Sequence, residues 1–308
     1  MKHSDAMRTG IFGRRINEGT VDDVVGEARQ AEADGLDAYW AAQIFSHDAL
    51  TALAVTAREV PRIELGTSVV PTYPRHPMAL AQQALTVNSV AGGRLCLGIG
   101  LSHKIVIENM MGLNFDKPVR HLREYLSVLG PLLRGEPVGF DGEDYRVHAA
   151  VTVAGSSPPS VVVAALGPQM LKVAGTMTDG TLTWCVGPKT LAEMTIPTIN
   201  EAADGAGRPR PRVIAALPVC VTDDFGGAHE RAAEVFAVYG QLPSYRAMLD
   251  REGVDGPADI AIVGSTDEVV ERIRALADIG VTDFVATEFG GTPDERQDTR
   301  QAVMASMS

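Results

Sequence analysis

The 308-residue chain holds three cysteines, Cys96, Cys185 and Cys220, and no Cys-x-x-Cys pair. Their odd number and wide spacing argue against a disulfide framework. Each sits in an apolar run, so buried free thiols and a cytoplasmic setting are expected. No apolar run reaches the roughly 18 residues of a membrane helix. Met1 to Ala6 is polar and lacks the apolar core of a secretory signal. Residues 1–7 are therefore expected to be a flexible tail and residues 8–308 a single domain. Basic residues are scarce, with 27 Lys and Arg against 39 Asp and Glu. That balance argues against nucleic acid or an anionic membrane as the partner and leaves small molecules. Several motifs are missing too. The seven histidines make no His-x-His or His-Glu-x-x-His pattern, so no metal is expected. There is no Gly-x-Ser-x-Gly elbow, Walker loop or Gly-x-Gly-x-x-Gly fingerprint.

What is present is a steady alternation of short apolar runs and amphipathic helices. Thr9–Phe12, Leu36–Ala42, Ile63–Val70, Arg94–Ile99, Ser160–Ala165, Gly180–Cys185 and Arg212–Val221 read as strands. Helical spacing fills most of the intervals, and Pro197 is expected to kink the helix Lys189–Ala203. Strand-then-helix order favours parallel strands with helical crossovers. Thr20–Trp40 and Ser265–Val285 also share one spacing: a Val-Val pair, an Arg, a Gly and an aromatic strand. Each is a helix closed by a glycine, Gly35 or Gly280, and Ser265 with Glu268 makes a capping box. A chain that begins and ends with one kind of unit suits a closed (β/α)8 barrel, for which about 250 residues suffice. An open doubly wound sheet is the rival. Two stretches interrupt the alternation, Ser102–Phe115 after the fourth strand and Gly240–Pro257 near the seventh. Val138–Val147 suits a small hairpin.

In a barrel of this kind chemistry belongs at the C-terminal strand ends. Gly98-Ile-Gly-Leu-Ser-His103 sets two glycines at a strand end and a histidine just beyond. Histidine suits proton transfer near neutral pH, and a solvated loop histidine is the plain alternative. Ala164-Ala-Leu-Gly-Pro168 places a glycine before a helix whose first residue is proline. Such a start exposes amides that can hold a phosphate, or is simply a βα turn. Trp40 and Trp184 fall at strand ends, where they could flank a planar ring or pack in the core. Arg14 and Arg15 follow the first strand and could meet an anion.

Taken together, these segments resemble the luciferase-like flavin and deazaflavin enzymes. The run Leu65-Gly-Thr-Ser-Val-Val-Pro-Thr-Tyr-Pro-Arg-His-Pro77 with Ala81-Gln-Gln83 is similar to their third strand and helix. Gly92-Gly-Arg-Leu-Cys-Leu-Gly-Ile-Gly100 is similar to their fourth strand. Val161–Pro168 with Thr178-Asp-Gly-Thr181 resembles the fifth strand and its phosphate region. Gly264–Glu268 and Gly280–Asp283 resemble the last helix and strand.

The resemblance implies a (β/α)8 TIM barrel of the bacterial-luciferase type, acting as a homodimer on coenzyme F420. It implies a bulge in strand 3 with a cis peptide at Ser68–Val69 lying under the cofactor ring. Ala164, Ala165, Leu166 and Gly167 would hold the cofactor phosphate. Gly100, Thr183 and Trp184 would line the same end, and His103 would donate or accept a proton. Relatives often carry an acidic residue and a histidine after strand 2. Here Ala42 and Gln43 stand there, and Gln43 can bond to the ring but cannot shuttle a proton. Arg75, Lys104 and Lys172 are candidates for the acidic tail of the cofactor. Three readings follow: an F420-dependent hydride-transfer enzyme, an FMN-dependent monooxygenase, or an inactive barrel that serves as a binding protein.

Overall fold

The computed structural model describes residues 6–307. Eight parallel strands make the barrel: β1 (Arg8–Phe12), β2 (Ala38–Ala41), β3 (Glu64–Thr67), β4 (Leu95–Gly100), β5 (Ser160–Ala164), β6 (Gly180–Trp184), β7 (Arg212–Val221) and β8 (Asp283–Glu288). Each neighbour pair is parallel. β1 pairs with both β2 and β8, and β7 with both β6 and β8, so the sheet closes on itself. Closure excludes the open doubly wound alternative. The strands are apolar on both faces, as strands buried on two sides must be: every residue of β2 and β4 is buried.

The expected tail falls largely on residues 1–5, which lie outside the described residues. Met7 already packs on the core. The paired start and finish take the expected form. Thr20 and Ser265 cap their helices in capping boxes, and Gly35 and Gly280 leave them at φ of 81° and 102°. Pro197 acts differently from expectation. The chain widens into a π turn over Leu191–Thr195, and the helix Ile196–Gly205 begins beyond it with the proline in its first turn. A wide turn absorbs the missing amide there. All three cysteines are buried and free. Among the described residues, no helix is long and apolar enough to cross a membrane.

Both interruptions are ordered. After β4 come a π turn (Val106–Met110), the helix Pro118–Leu133 and an antiparallel hairpin of Val138–Asp141 with Arg146–Ala149. After β7 come three helices, Phe225–Val235, Ala237–Gln241 and Pro243–Glu252. A short strand, Ile262–Gly264, then runs beside the end of β7.

The barrel is filled, not hollow. Trp40, Val162, Leu182, Ile214 and Val285 meet in its lumen. Gly66 makes room for Trp40: a Cβ there would lie 2.2 Å from the indole. Below them, at the N-terminal end, Arg212 binds Asp283 at 2.6 Å and Glu64 at 2.9 Å. Arg8 reaches Glu64 at 3.1 Å and Asp283 at 3.3 Å. Four strands are thereby cross-linked by charge. Burial pulls the Arg212 guanidinium down, but Cys96 and the Asp283 and Glu64 carboxylates together hold it above its ordinary range.

Candidate active site

The opposite end of the barrel is built differently. Between β3 and β4 the pairing runs through Gly66 with Cys96 and resumes at Val70 with Ile99. Four steps on one strand thus face three on the other, which defines a one-residue bulge. The Ser68–Val69 peptide within it is cis, where the resemblance placed it. The Thr67 hydroxyl bridges the gap, donating to the Gly98 carbonyl at 2.7 Å and accepting the Gly98 N–H at 2.9 Å.

This geometry revises the reading of the β4 glycines. A Cβ on Gly98 would lie 1.9 Å from the Thr67 carbonyl oxygen, and one on Gly100 would lie 2.6 Å from Val69 Cγ2. The missing side chains make space for the bulge. They also bring Val69, Gly100 and Ala164 together, since a Gly100 Cβ would be 3.2 Å from the Ala164 Cβ. The result is a small apolar floor at the C-terminal mouth.

Beside it, the helix Pro168–Met177 starts at Gly167 with no side-chain cap. Pro168 has no N–H to offer. Among the described residues, the N–H groups of Gln169 and Met170 have no acceptor. Nothing stands within 4 Å of where a Gly167 side chain would be. The helices after β1, β2, β3 and β8 are capped by Thr20, Asp48, His76 and Thr292. An open, uncapped N-terminus suits an anion. Ala165 and Leu166 pack into the core, so their amides, not their side chains, are what they present.

The remaining candidates separate. Trp184 sits at the mouth, edge-on to Phe12 of β1 at 5.8 Å between centroids. Trp40 does not; it is wholly buried in the lumen. The Thr183 hydroxyl is buried and turned to the Ile214 carbonyl at 3.4 Å, a β6–β7 contact. Gln43 is committed locally, its Oε1 accepting the Ala49 N–H at 2.9 Å. Arg75 is paired with Asp48, and Lys104 with Glu108. Arg14 pairs with Glu18 at the surface. A basic groove is therefore not assembled from these side chains.

His103 follows β4 directly. Its carbonyl starts the next helical turn by accepting from Val106 and Ile107, both at 2.9 Å. Burial lowers the pKa of its imidazole, so the neutral ring is favoured. Among the described residues, no hydrogen bond engages its ring nitrogens. Ser102 before it has φ of 61°, and Cys185 after β6 has 51°. Left-handed backbone at non-glycine residues costs energy, and these two of the three described instances adjoin this mouth, the third being Lys117.

Sequence reasoning missed the aromatic lining. Trp184 meets Tyr239 at 5.6 Å, Tyr239 meets Tyr245 at 5.1 Å, and Tyr245 meets His103 at 5.8 Å. Tyr245 comes from the Gly240–Pro257 interruption and Tyr239 from the short helix Ala237–Gln241 that leads into it. A second cluster stands above β3. His121 stacks on Tyr73 at 3.8 Å, and its Nε2 lies 2.9 Å from the Thr72 hydroxyl.

A filled barrel with one ion-locked end and an open, uncapped, glycine-rich mouth defines a ligand-handling (β/α)8 protein. The match of residues 4–283 to the luciferase-like monooxygenase family model names it further, and the chain belongs to that family. Three similarities illustrate the relationship. A 5,10-methylenetetrahydromethanopterin reductase of Methanolobus tindarius is 28% identical over 84% of this chain and 88% of its own length. A Mycobacterium tuberculosis protein named as a coenzyme F420-dependent oxidoreductase is 30% identical over 87% of this chain and 80% of its own. The solved coenzyme F420-dependent tetrahydromethanopterin reductase of Methanopyrus kandleri superposes with a TM-score of 0.83. It covers 99% of this chain and 100% of its own at 24% identity.

Proposed function

We propose that this chain is an F420-dependent oxidoreductase that transfers a hydride between the deazaflavin and a small organic substrate. The observation that carries the reading is the juxtaposition at the C-terminal mouth. An apolar floor of Val69, Gly100 and Ala164 adjoins a helix start with two free N–H groups. A planar ring and a phosphate are the two chemistries that those features accept. The relatives' names favour F420 over FMN.

When bound, the deazaflavin supplies the ring carbon that gives or takes the hydride. The protein's own share is binding, orientation and proton handling. Val69 and Ala164 support one face of the ring. The amides of Gln169 and Met170 hold the phosphate, and Gly167 lets it approach. Phe12 and Trp184 wall the mouth and keep water from it. His103, neutral by virtue of its burial, takes or returns a proton at a ring nitrogen while the substrate changes oxidation state. Gln43, a carboxamide bonded to the Ala49 N–H, cannot carry a proton and does not share that task. A homodimer in the cytoplasm is part of the same proposal, and light scattering tests the dimer.

Fluorescence titration of the purified protein with F420 and with FMN tests the central point. Saturable F420 binding is expected. Binding of FMN alone would replace the reading with an oxygen-using flavin enzyme, and binding of neither would leave an inactive barrel. With F420 bound, His103→Ala should abolish the pH dependence of turnover on any substrate found.

A further inference from the structure

The wall of the mouth is aromatic. Phe12 of β1, Trp184 of β6, Tyr239 and Tyr245 after β7 and Phe289 just beyond β8 are each only partly buried. Phe236 ties two of them together, at 5.6 Å from both Trp184 and Phe289. Large apolar side chains continue the surface outward. Ile44 and Phe45 after β2, and Ile105 and Met110 after β4, are each more than half exposed.

The charges near this wall are already paired. Arg300 binds Glu288 at 2.5 Å and Arg231 binds Glu295 at 3.1 Å. Arg14, Arg75 and Lys104 hold Glu18, Asp48 and Glu108. Cations with no ion pair among the described residues, such as Arg15 and Lys189, stand exposed, where water and salt screen them. The uncapped helix start at Gly167 suits an anion, and the cofactor phosphate proposed there would occupy it. An ionised substrate entering the mouth would lose hydration without gaining a counter-charge, which is costly. An uncharged ring avoids that cost and gains from the aromatic area it covers.

We propose that the substrate is an uncharged, largely apolar compound with a planar ring, held against Trp184, Tyr239 and Tyr245. Compounds bearing a phosphate or carboxylate are refused. The proposal rests on the reading of this mouth as the reactive end, but binding is measured with and without F420, so the two fail separately.

Acetylnaphthalene and its acid counterpart acetylnaphthoate share one body and differ by one charge. Titration of the purified protein, followed by ligand-observed NMR, should find the neutral ketone bound at least about tenfold more tightly, the scale of burying a charge that finds no partner. Tyr239 lies on the helix Ala237–Gln241, which has no buried residue, so Tyr239→Arg keeps the fold and sets a guanidinium beside Trp184. That variant should bind acetylnaphthoate about fivefold more tightly than the wild type does. Acetylnaphthoate bound by the wild type as tightly as acetylnaphthalene would overturn the proposal. So would binding of neither at its solubility limit, or wild-type affinities in the folded Tyr239→Arg protein. A preference kept by protein that takes up no F420 would support the proposal and sink the cofactor reading alone.

Discussion

At the N-terminal end of the barrel the charges inside the strand ring are paired: Arg8 and Arg212 share Glu64 and Asp283 across four strands. At the C-terminal end several polar groups stand open. Among the described residues, Gln169 and Met170 offer unbonded amides and His103 has no bond at its ring nitrogens, while Ser102 and Cys185 sit in left-handed backbone. The same eight strands support both ends. The difference sets satisfied groups that secure the fold below against unsatisfied groups above, where the proposed cofactor would bind.

The sharpest way to break that contrast is at the bottom. Arg212→Met leaves Glu64 and Asp283 facing each other with Arg8 as their remaining cation. A loss of about 3–5 kcal/mol is expected in chemical denaturation. F420 affinity of the folded fraction should not change. A loss below 1 kcal/mol would show that the network does not secure the fold.

Next in size is an acid effect above β3. Burial pushes the His121 imidazole down to about 4, overriding the nearby Asp144 and Glu124 carboxylates. In the unfolded chain this group takes its proton near pH 6.5. The stability it leaves intact above that pH is therefore lost as pH falls from about 6.5 towards 4. The full swing is about 3 kcal/mol. Denaturation midpoints across that window should fall, and His121→Phe, which keeps a ring for Tyr73 to stack on, should flatten the slope.

Gly98→Ala follows. Its Cβ would meet the Thr67 carbonyl, so the bulge must shift, at about 1–3 kcal/mol. F420 affinity should fall with it, because Val69 moves too. Retained affinity would detach the bulge from the cofactor site.

The smallest stability effect makes the most specific test of the contrast. Gly167→Asp supplies the cap that this helix lacks, so stability should hold or rise by a few tenths of a kcal/mol. F420 affinity should drop at least tenfold, because the carboxylate takes the amides. Opposite signs on stability and binding are expected only where a cap was left open for a ligand.

Much of the architecture was legible from pattern. Strand-helix alternation, the Gly35 and Gly280 endings and the Ser265–Glu268 box are local features, and local chemistry fixes them. The bulge at Ser68–Val69 was legible through resemblance. The reason for Gly98 and Gly100 was not, because it lies in Thr67 and Val69 on a neighbouring strand. Trp40 and Trp184 occupy matching strand ends, yet one fills the lumen and the other lines the mouth. That choice depends on Gly66 opposite Trp40. Pro197 signalled a break but not that a π turn would absorb it. Tyr245 lies in the Gly240–Pro257 interruption, whose sequence resembles nothing informative, and Tyr239 just before it; their meaning arises from docking against His103 and Trp184. Arg75 looked available for a ligand until Asp48, 27 residues earlier, took it.

Amide exchange measured with and without F420 tests the account most directly. Protection confined to peptides covering 66–71, 98–103 and 164–171, with none at 212–214 or 283–285, is the predicted result. Protection at the N-terminal end, or an unchanged mouth under saturating F420, would contradict it.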